Sequence, residues 1–284
     1  MRRLIPSHLD PRRLHQRGHR GGAIGQHRSI RSLRLPMRRV AQGLVIALGF
    51  SLLLLLGQEA IALAWGHSLV WSMQALQIPG QYAPPPLDSL GLFSMPVAVV
   101  DVQLAGNSPL ALAGHGLAAL ALWIVAGWLP DAARPGAYVL RFAVLIHAAS
   151  VLFFAFWPAS FAHSAARHVG GGLRQIWALM LFTPWLHLAT FHLFPFRAWQ
   201  RLALTAVSLA YLLVLGPLLY ASHAALLAAL GLVMMPLLHL LFGVRVPILG
   251  LVALYGWGMG WHDPARPGDR PGGVAPLATA AGRP

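Results

Sequence analysis

Apolar runs of helix length recur along this chain and constrain its fold more than any other feature. A helix rises about 1.5 Å per residue, so about 20 apolar residues cross a hydrocarbon core of about 30 Å. The runs predict an all-α polytopic transmembrane helix bundle of about seven spans. Six spans are the alternative, because the last run is short. The runs lie at residues 40–65, 110–129, 137–157, 173–193, 199–222, 224–242 and 246–261.

The balance of apolar and charged residues supports a membrane protein. Hydrophobic residues make up 57% of the chain and charged residues only 10%, whereas soluble domains carry about 25% charged residues. The chain has no cysteine, which excludes disulfides, thiolate metal sites and cysteine nucleophiles. Any metal or cofactor would have to be held by histidine, methionine, carboxylate or backbone groups.

The distribution of arginine predicts a cytoplasmic N-terminus. Of the 21 basic residues, 11 precede residue 40. With that end inside, the predicted outer loops hold only Arg167 and Arg174, in agreement with the positive-inside rule. We therefore interpret the net charge of +14 as a signal of topology in a bacterial inner membrane, and we expect no nucleic-acid partner.

Three regions are predicted. Residues 1–39 form a basic, disordered cytoplasmic arm, or lie in part upstream of a true start at Met37. Residues 40–262 form the bundle, whose first run is either an uncleaved anchor or a cleaved signal. Residues 263–284 form a disordered tail. An extracytoplasmic loop is predicted at 66–109, where SMPVAVVDVQL alternates enough to form a short strand.

A repeated motif is the sharpest local feature. Pro-x-Leu-His, with a second proline eight residues after the histidine, occurs around His187 and again around His239. The first proline of each copy removes an N–H and frees a carbonyl four residues earlier, so both helices should be kinked. The spacing predicts that His187 and His239 lie at equal depth in two parallel helical repeats.

Three histidines within the predicted spans are candidate cofactor ligands. His187 and His239, with His147 facing the same cavity, could bind a b-type haem or a divalent metal ion. The alternative is that these imidazoles form hydrogen bonds between helices.

Glu59 is the only glutamate in the chain and is the candidate for proton coupling. A carboxylate within a span should be protonated or paired, and its expected partners are His115 and Arg167. The alternative is that its side chain reaches the membrane interface.

The predicted outer segment 159–175 combines His163, Arg167, His168 and Arg174 with three consecutive glycines. Cations beside flexible backbone are suited to an anion or phosphate. The segment lacks the GK[ST] ending of a phosphate-binding loop, so a solvated linker is the alternative.

Function is less constrained than fold. Seven carboxylates and no HExxH or GxSxG motif leave few participants for hydrolysis, and no catalytic residue is assigned. The first hypothesis is a non-enzymatic membrane subunit, in contact with lipid and a partner of a membrane complex, in transport or envelope assembly. The second is a haem- or metal-binding redox protein. The third is a proton-coupled secondary transporter.

Overall fold

The computed structural model describes residues 37–83, 85, 91, 95–191 and 196–261. Residues 1–36 of the predicted arm at 1–39, the tail at 263–284 and the second proline of the first motif, Pro195, lie outside these residues. The last three residues of the predicted arm, 37–39, belong instead to a helix that begins at Met37.

Helices dominate the described part of the chain. Five stretches of it are long and apolar enough to cross a membrane: Met37–Leu56, Pro109–Trp128, Asp131–Phe156, Ala198–Leu230 and Leu232–Met259. The helical, membrane-compatible fold is thereby confirmed, with boundaries that differ from the prediction. The main helices are α1 (Met37–Leu56), α2 (Gln58–Ala75), α3 (Pro109–Trp128), α4 (Arg134–Phe156), α5 (Ala165–Thr190), α6 (Ala198–Leu230) and α7 (Arg245–Met259).

The sequence predicted one span for the first apolar run, residues 40–65, but the structure divides this run between two helices. α1 ends at Leu56, Gly57 caps α2, and helix continues to Ala75 beyond the expected end at Trp65. The segment that follows α2 folds into a small antiparallel sheet of β1 (Gly80–Ala83) and β2 (Val99–Val102), with Gly80 opposite Val102. The predicted strand is confirmed, since β2 lies within the alternating segment.

α6 covers the span predicted at 199–222 and the first part, to Leu230, of the span predicted at 224–242. The sequence predicted a break at His223, but this residue lies inside the continuous helix and is buried, so that boundary is wrong. The chain breaks instead at Gly231, whose φ of 80° suits glycine and where a Cβ would lie 2.9 Å from the Ala105 carbonyl oxygen. Short helical turns at Leu232–Met234, Met235–Leu237 and Leu238–Phe242 then lead to α7.

α5 and α6 pack antiparallel along most of their length. The rise in residue number along α5 is matched by an equal fall along α6, as expected for two antiparallel helices. The contacting pairs are His168 with His223, Gly172 with Tyr220, Ile176 with Gly216, and His187 with Thr205.

α1 and α7 also pack on this pair. α1 packs on the second half of α5, where a Cβ on Gly43 would lie 2.8 Å from Leu188. α7 packs on α6 through Gly250, which lies against the Tyr211 ring, and Gly258, which lies against Leu204. Small residues at these positions allow close helix approach, as is common between membrane helices.

Candidate functional site

His187 lies near the end of α5 and is buried, with 4% of its surface exposed. Its Nδ1 is 3.0 Å from the Thr205 hydroxyl on α6. Its ring stacks on Phe191 at a centroid distance of 4.7 Å. These contacts tie the imidazole into the interface of α5 with α6.

His239 belongs to the short helical turn at Leu238–Phe242 and packs near the beginning of α5, at the opposite end of that helix from His187. Its ring centroid is 5.9 Å from that of His168, and His168 precedes His187 by 19 residues on α5, or roughly 28 Å. The expected equal depth is therefore wrong, and the two histidines do not line one site. The reason is local context: Pro184 stands inside a long helix, whereas Pro236 begins a new helical turn after the break at Gly231.

His147 joins neither of the other two candidates. Its ring lies 5.1 Å from that of His115 on α3, and its buried Nδ1 has no hydrogen-bond partner. His115 Nε2 lies 3.1 Å from the Leu230 carbonyl oxygen. Within the described ranges, no group of three or more histidine, aspartate or glutamate side chains could hold a metal ion.

Glu59 is exposed in the first turn of α2. Its expected partners are engaged elsewhere, because Arg167 Nη1 donates to the Ala162 carbonyl at 2.8 Å and His115 contacts Leu230. In the described part of the chain, the ion pair found is the exposed one between Arg134 and Asp131, at 2.8 Å. The proton-coupling role of Glu59 stays a prediction.

A cavity of about 360 Å³ lies beside the first half of α5, and we name it the histidine pocket. Its apolar wall is formed by Phe161, Met235, Pro236 and Leu240. Its polar side is formed by His163, Arg167, His168, Gln175 and His239, together with the backbone of Gly171 and Gly172.

The start of α5 is fixed by local hydrogen bonds that orient the polar side of the pocket. The Ser164 hydroxyl caps the helix by accepting from the Arg167 N–H at 3.2 Å, an arrangement that satisfies a free helix donor. Arg167 also donates from its guanidinium to the Ala162 carbonyl. Arg167 is thus held in the first turn of α5, while its remaining guanidinium N–H groups stay available to a ligand.

The glycine run lets α5 approach its neighbours closely. A Cβ on Gly172 would overlap the Tyr220 ring of α6, and one on Gly170 would lie 3.2 Å from Val97. Gly171 has nothing within 4 Å of its Cβ position. Two of the three glycines therefore serve packing, and the middle one lines the open pocket.

A buried histidine outside the cavity contacts His168, one of the residues that line the pocket. His223 of α6 is 2% exposed, and its Nδ1 lies 3.1 Å from His168 Nε2 with the two rings stacked. One ring must donate and the other accept in this pair. The Tyr220 ring packs against both imidazoles, with centroid distances of 6.0 Å to His168 and 5.1 Å to His223. His168 is therefore oriented by residues that do not themselves line the cavity.

The polar side of the pocket offers donors and positive charge. Arg167 is charged, Gln175 carries an amide, and the imidazoles of His163 and His239 can each donate a hydrogen bond. The lining residues that the structure describes include no carboxylate. This set of groups is chemically suited to an anion.

Sequence reasoning identified part of this site. The 159–175 segment was singled out for anion binding, and its His163, Arg167 and His168 all line the pocket. The roles of Tyr220 and His223 were missed, because they depend on the register of α6 against α5, for which the sequence carries no local signal.

No protein-family model matches the sequence, and comparisons with curated proteins and with solved structures found no match.

Proposed function

We propose that this chain is a multi-pass protein of a bacterial inner membrane, with its N-terminus in the cytoplasm, and that it binds an anionic ligand in the histidine pocket. In this proposal it is a non-enzymatic subunit of a transport or envelope-assembly complex. The arginine distribution supports the orientation. In that orientation the pocket faces the outer side, because α5 begins there.

The observation that carries the proposal is the combination of Arg167 with three imidazoles and an amide around one cavity that has no carboxylate in its described lining. A guanidinium forms strong, charge-assisted hydrogen bonds with phosphate-type oxygens. Gly171 leaves backbone accessible beside it. A phosphate-bearing ligand matches these donors best.

Binding is favoured over hydrolysis by the surroundings of the pocket. The His168 ring is engaged with His223, and Arg167 is anchored to the Ala162 carbonyl. Both groups are thus oriented to hold a ligand. Hydrolysis through a covalent intermediate would also call for a serine, threonine, cysteine or carboxylate nucleophile beside the ligand, and the described lining of the pocket includes none of these side chains.

Arg167→Gln should weaken the binding of inorganic phosphate by roughly 10- to 100-fold, since a hydrogen bond to a charged group contributes about 1.5–3 kcal/mol. Titration calorimetry of the detergent-purified protein measures this change. Arg174→Gln is the matched control, because Arg174 is an exposed arginine of the same helix that does not line the pocket.

Wild-type affinity for phosphate should be retained by Arg174→Gln. Equal binding by the two variants, or no binding of phosphate by the wild-type protein, contradicts the proposal.

A further inference from the structure

A second, larger cavity lies next to the histidine pocket. It is a groove of about 980 Å³ between α1 and α5, which we name the α1/α5 groove. Its α1 wall contains Leu48, Leu52 and Leu55, and its α5 wall contains Ala178 and Phe182. Such an apolar surface is suited to binding a hydrocarbon chain.

The pocket and the groove adjoin each other along α5. Gln175 lines both cavities. The lining residues of α5 recur every three or four positions, a spacing that keeps them on one face of a helix. This face changes from polar to apolar along the helix, in the order His168, Gly171, Gln175, Ala178, Phe182 and Trp185.

The two cavities also adjoin each other on the side opposite α5. Leu240 lines the pocket, and Val244, four residues later, lines the groove. Arg245 follows directly, and its guanidinium donates to the Leu240 carbonyl. The guanidinium of Arg245, which lines neither cavity, is thereby held beside Leu240.

The length of the groove matches one leaflet. From Gln175 to Trp185 the helix advances ten residues, or about 15 Å, which is half of a hydrocarbon core of about 30 Å. At its far end the Trp185 indole N–H donates to the Ser51 hydroxyl at 3.0 Å and joins the two walls. The groove thus extends from the polar pocket for about the depth that one acyl chain occupies.

We propose that the ligand of the histidine pocket is an anionic lipid with a phosphate-bearing head, whose head contacts Arg167 and the imidazoles and one of whose chains lies in the α1/α5 groove. This inference rests on the proposed anion-binding function and names its substrate class. In the proposed topology the lipid comes from the outer leaflet.

The test compares the affinity for a lipid with the affinity for its headgroup alone. Titration calorimetry of the purified full chain uses dioctanoyl phosphatidic acid and glycerol phosphate, which differ only in the acyl chains. The lipid should bind at least about 10-fold more tightly, because each methylene buried contributes roughly fourfold in affinity. Dihexanoyl phosphatidic acid should bind with intermediate affinity.

Ala178→Trp fills the groove and should reduce the affinity for the lipid to that for glycerol phosphate, while leaving glycerol phosphate binding unchanged. Ala210→Trp is the matched control, since Ala210 is an exposed alanine on α6 that lines neither cavity. It should leave both affinities unchanged.

The outcomes separate the two proposals. Glycerol phosphate binding that depends on Arg167, with no gain from the acyl chains or no loss in Ala178→Trp, overturns the lipid inference and keeps the anion-binding function. Lipid binding that is unchanged in Arg167→Gln, or no binding of either ligand, overturns both.

Discussion

Gly172→Ala should destabilise the protein by roughly 3 kcal/mol or more, because the added methyl group on α5 would overlap the Tyr220 ring of α6. Tyr220 is 1% exposed and has little room to move away. Thermal unfolding in detergent, followed by circular dichroism, measures the loss.

The neighbouring glycine supplies the control for this substitution. Gly171→Ala adds the same methyl group where nothing lies within 4 Å, and it should be neutral or stabilising by up to about 1 kcal/mol. Combining Gly172→Ala with Tyr220→Leu should cost less than the sum of the single changes, since the smaller side chain removes the overlap. Equal stability of the two alanine variants would mean that Tyr220 does not pack against Gly172.

Trp65→Phe should destabilise the protein by about 1–3 kcal/mol beyond its loss of volume, because it removes a hydrogen bond to a carbonyl that has no helical partner. Pro217 has no N–H, so the Leu213 carbonyl four residues earlier in α6 is left free. The Trp65 indole on α2 donates to this carbonyl at 2.9 Å. The same unfolding measurement reports the cost.

A double-mutant cycle identifies the cause of this effect. Pro217→Ala restores an N–H that can pair with Leu213, so Trp65→Phe should cost less in that background. Trp71→Phe is the matched control, since Trp71 is on the same helix and is 70% exposed. If Trp65→Phe costs the same with Pro217 and with alanine at that position, the hydrogen bond does not stabilise the fold.

The helices were predictable because apolar length alone selects them in a membrane. The breaks between them were less predictable, and His223 explains why. A polar residue flanked by two apolar runs resembles a loop, but His223 is partnered by His168 from another helix, so α6 continues through it. The real break, at Gly231, follows from a backbone conformation and a close approach to Ala105, neither of which the local pattern encodes.

The histidine motif shows a related limit of sequence reasoning. The two copies share Pro, Leu and His at the same spacing, yet His187 packs beside Thr205 and Phe191 whereas His239 lines a cavity at the other end of α5. Local composition predicted the helices, whereas the contacts of each histidine depend on which neighbouring helix packs against it. The segment containing Arg167 was identifiable because clustered cations beside glycines carry their chemistry locally.

The length of α6 determines the depth at which the histidine pocket would lie in a membrane. Its 33 residues extend about 50 Å, some 20 Å more than a hydrocarbon core. Trp199 stacks on Trp261 at the first end of α6, and aromatic pairs of this kind anchor a helix at the headgroup level. Tyr220 lies 21 residues further on, about 32 Å away. In the proposed topology, the stretch of α6 from Trp199 to Tyr220 therefore spans one membrane thickness, and Tyr220 and His223 lie near the outer headgroup level, where the phosphate head of the proposed lipid would enter.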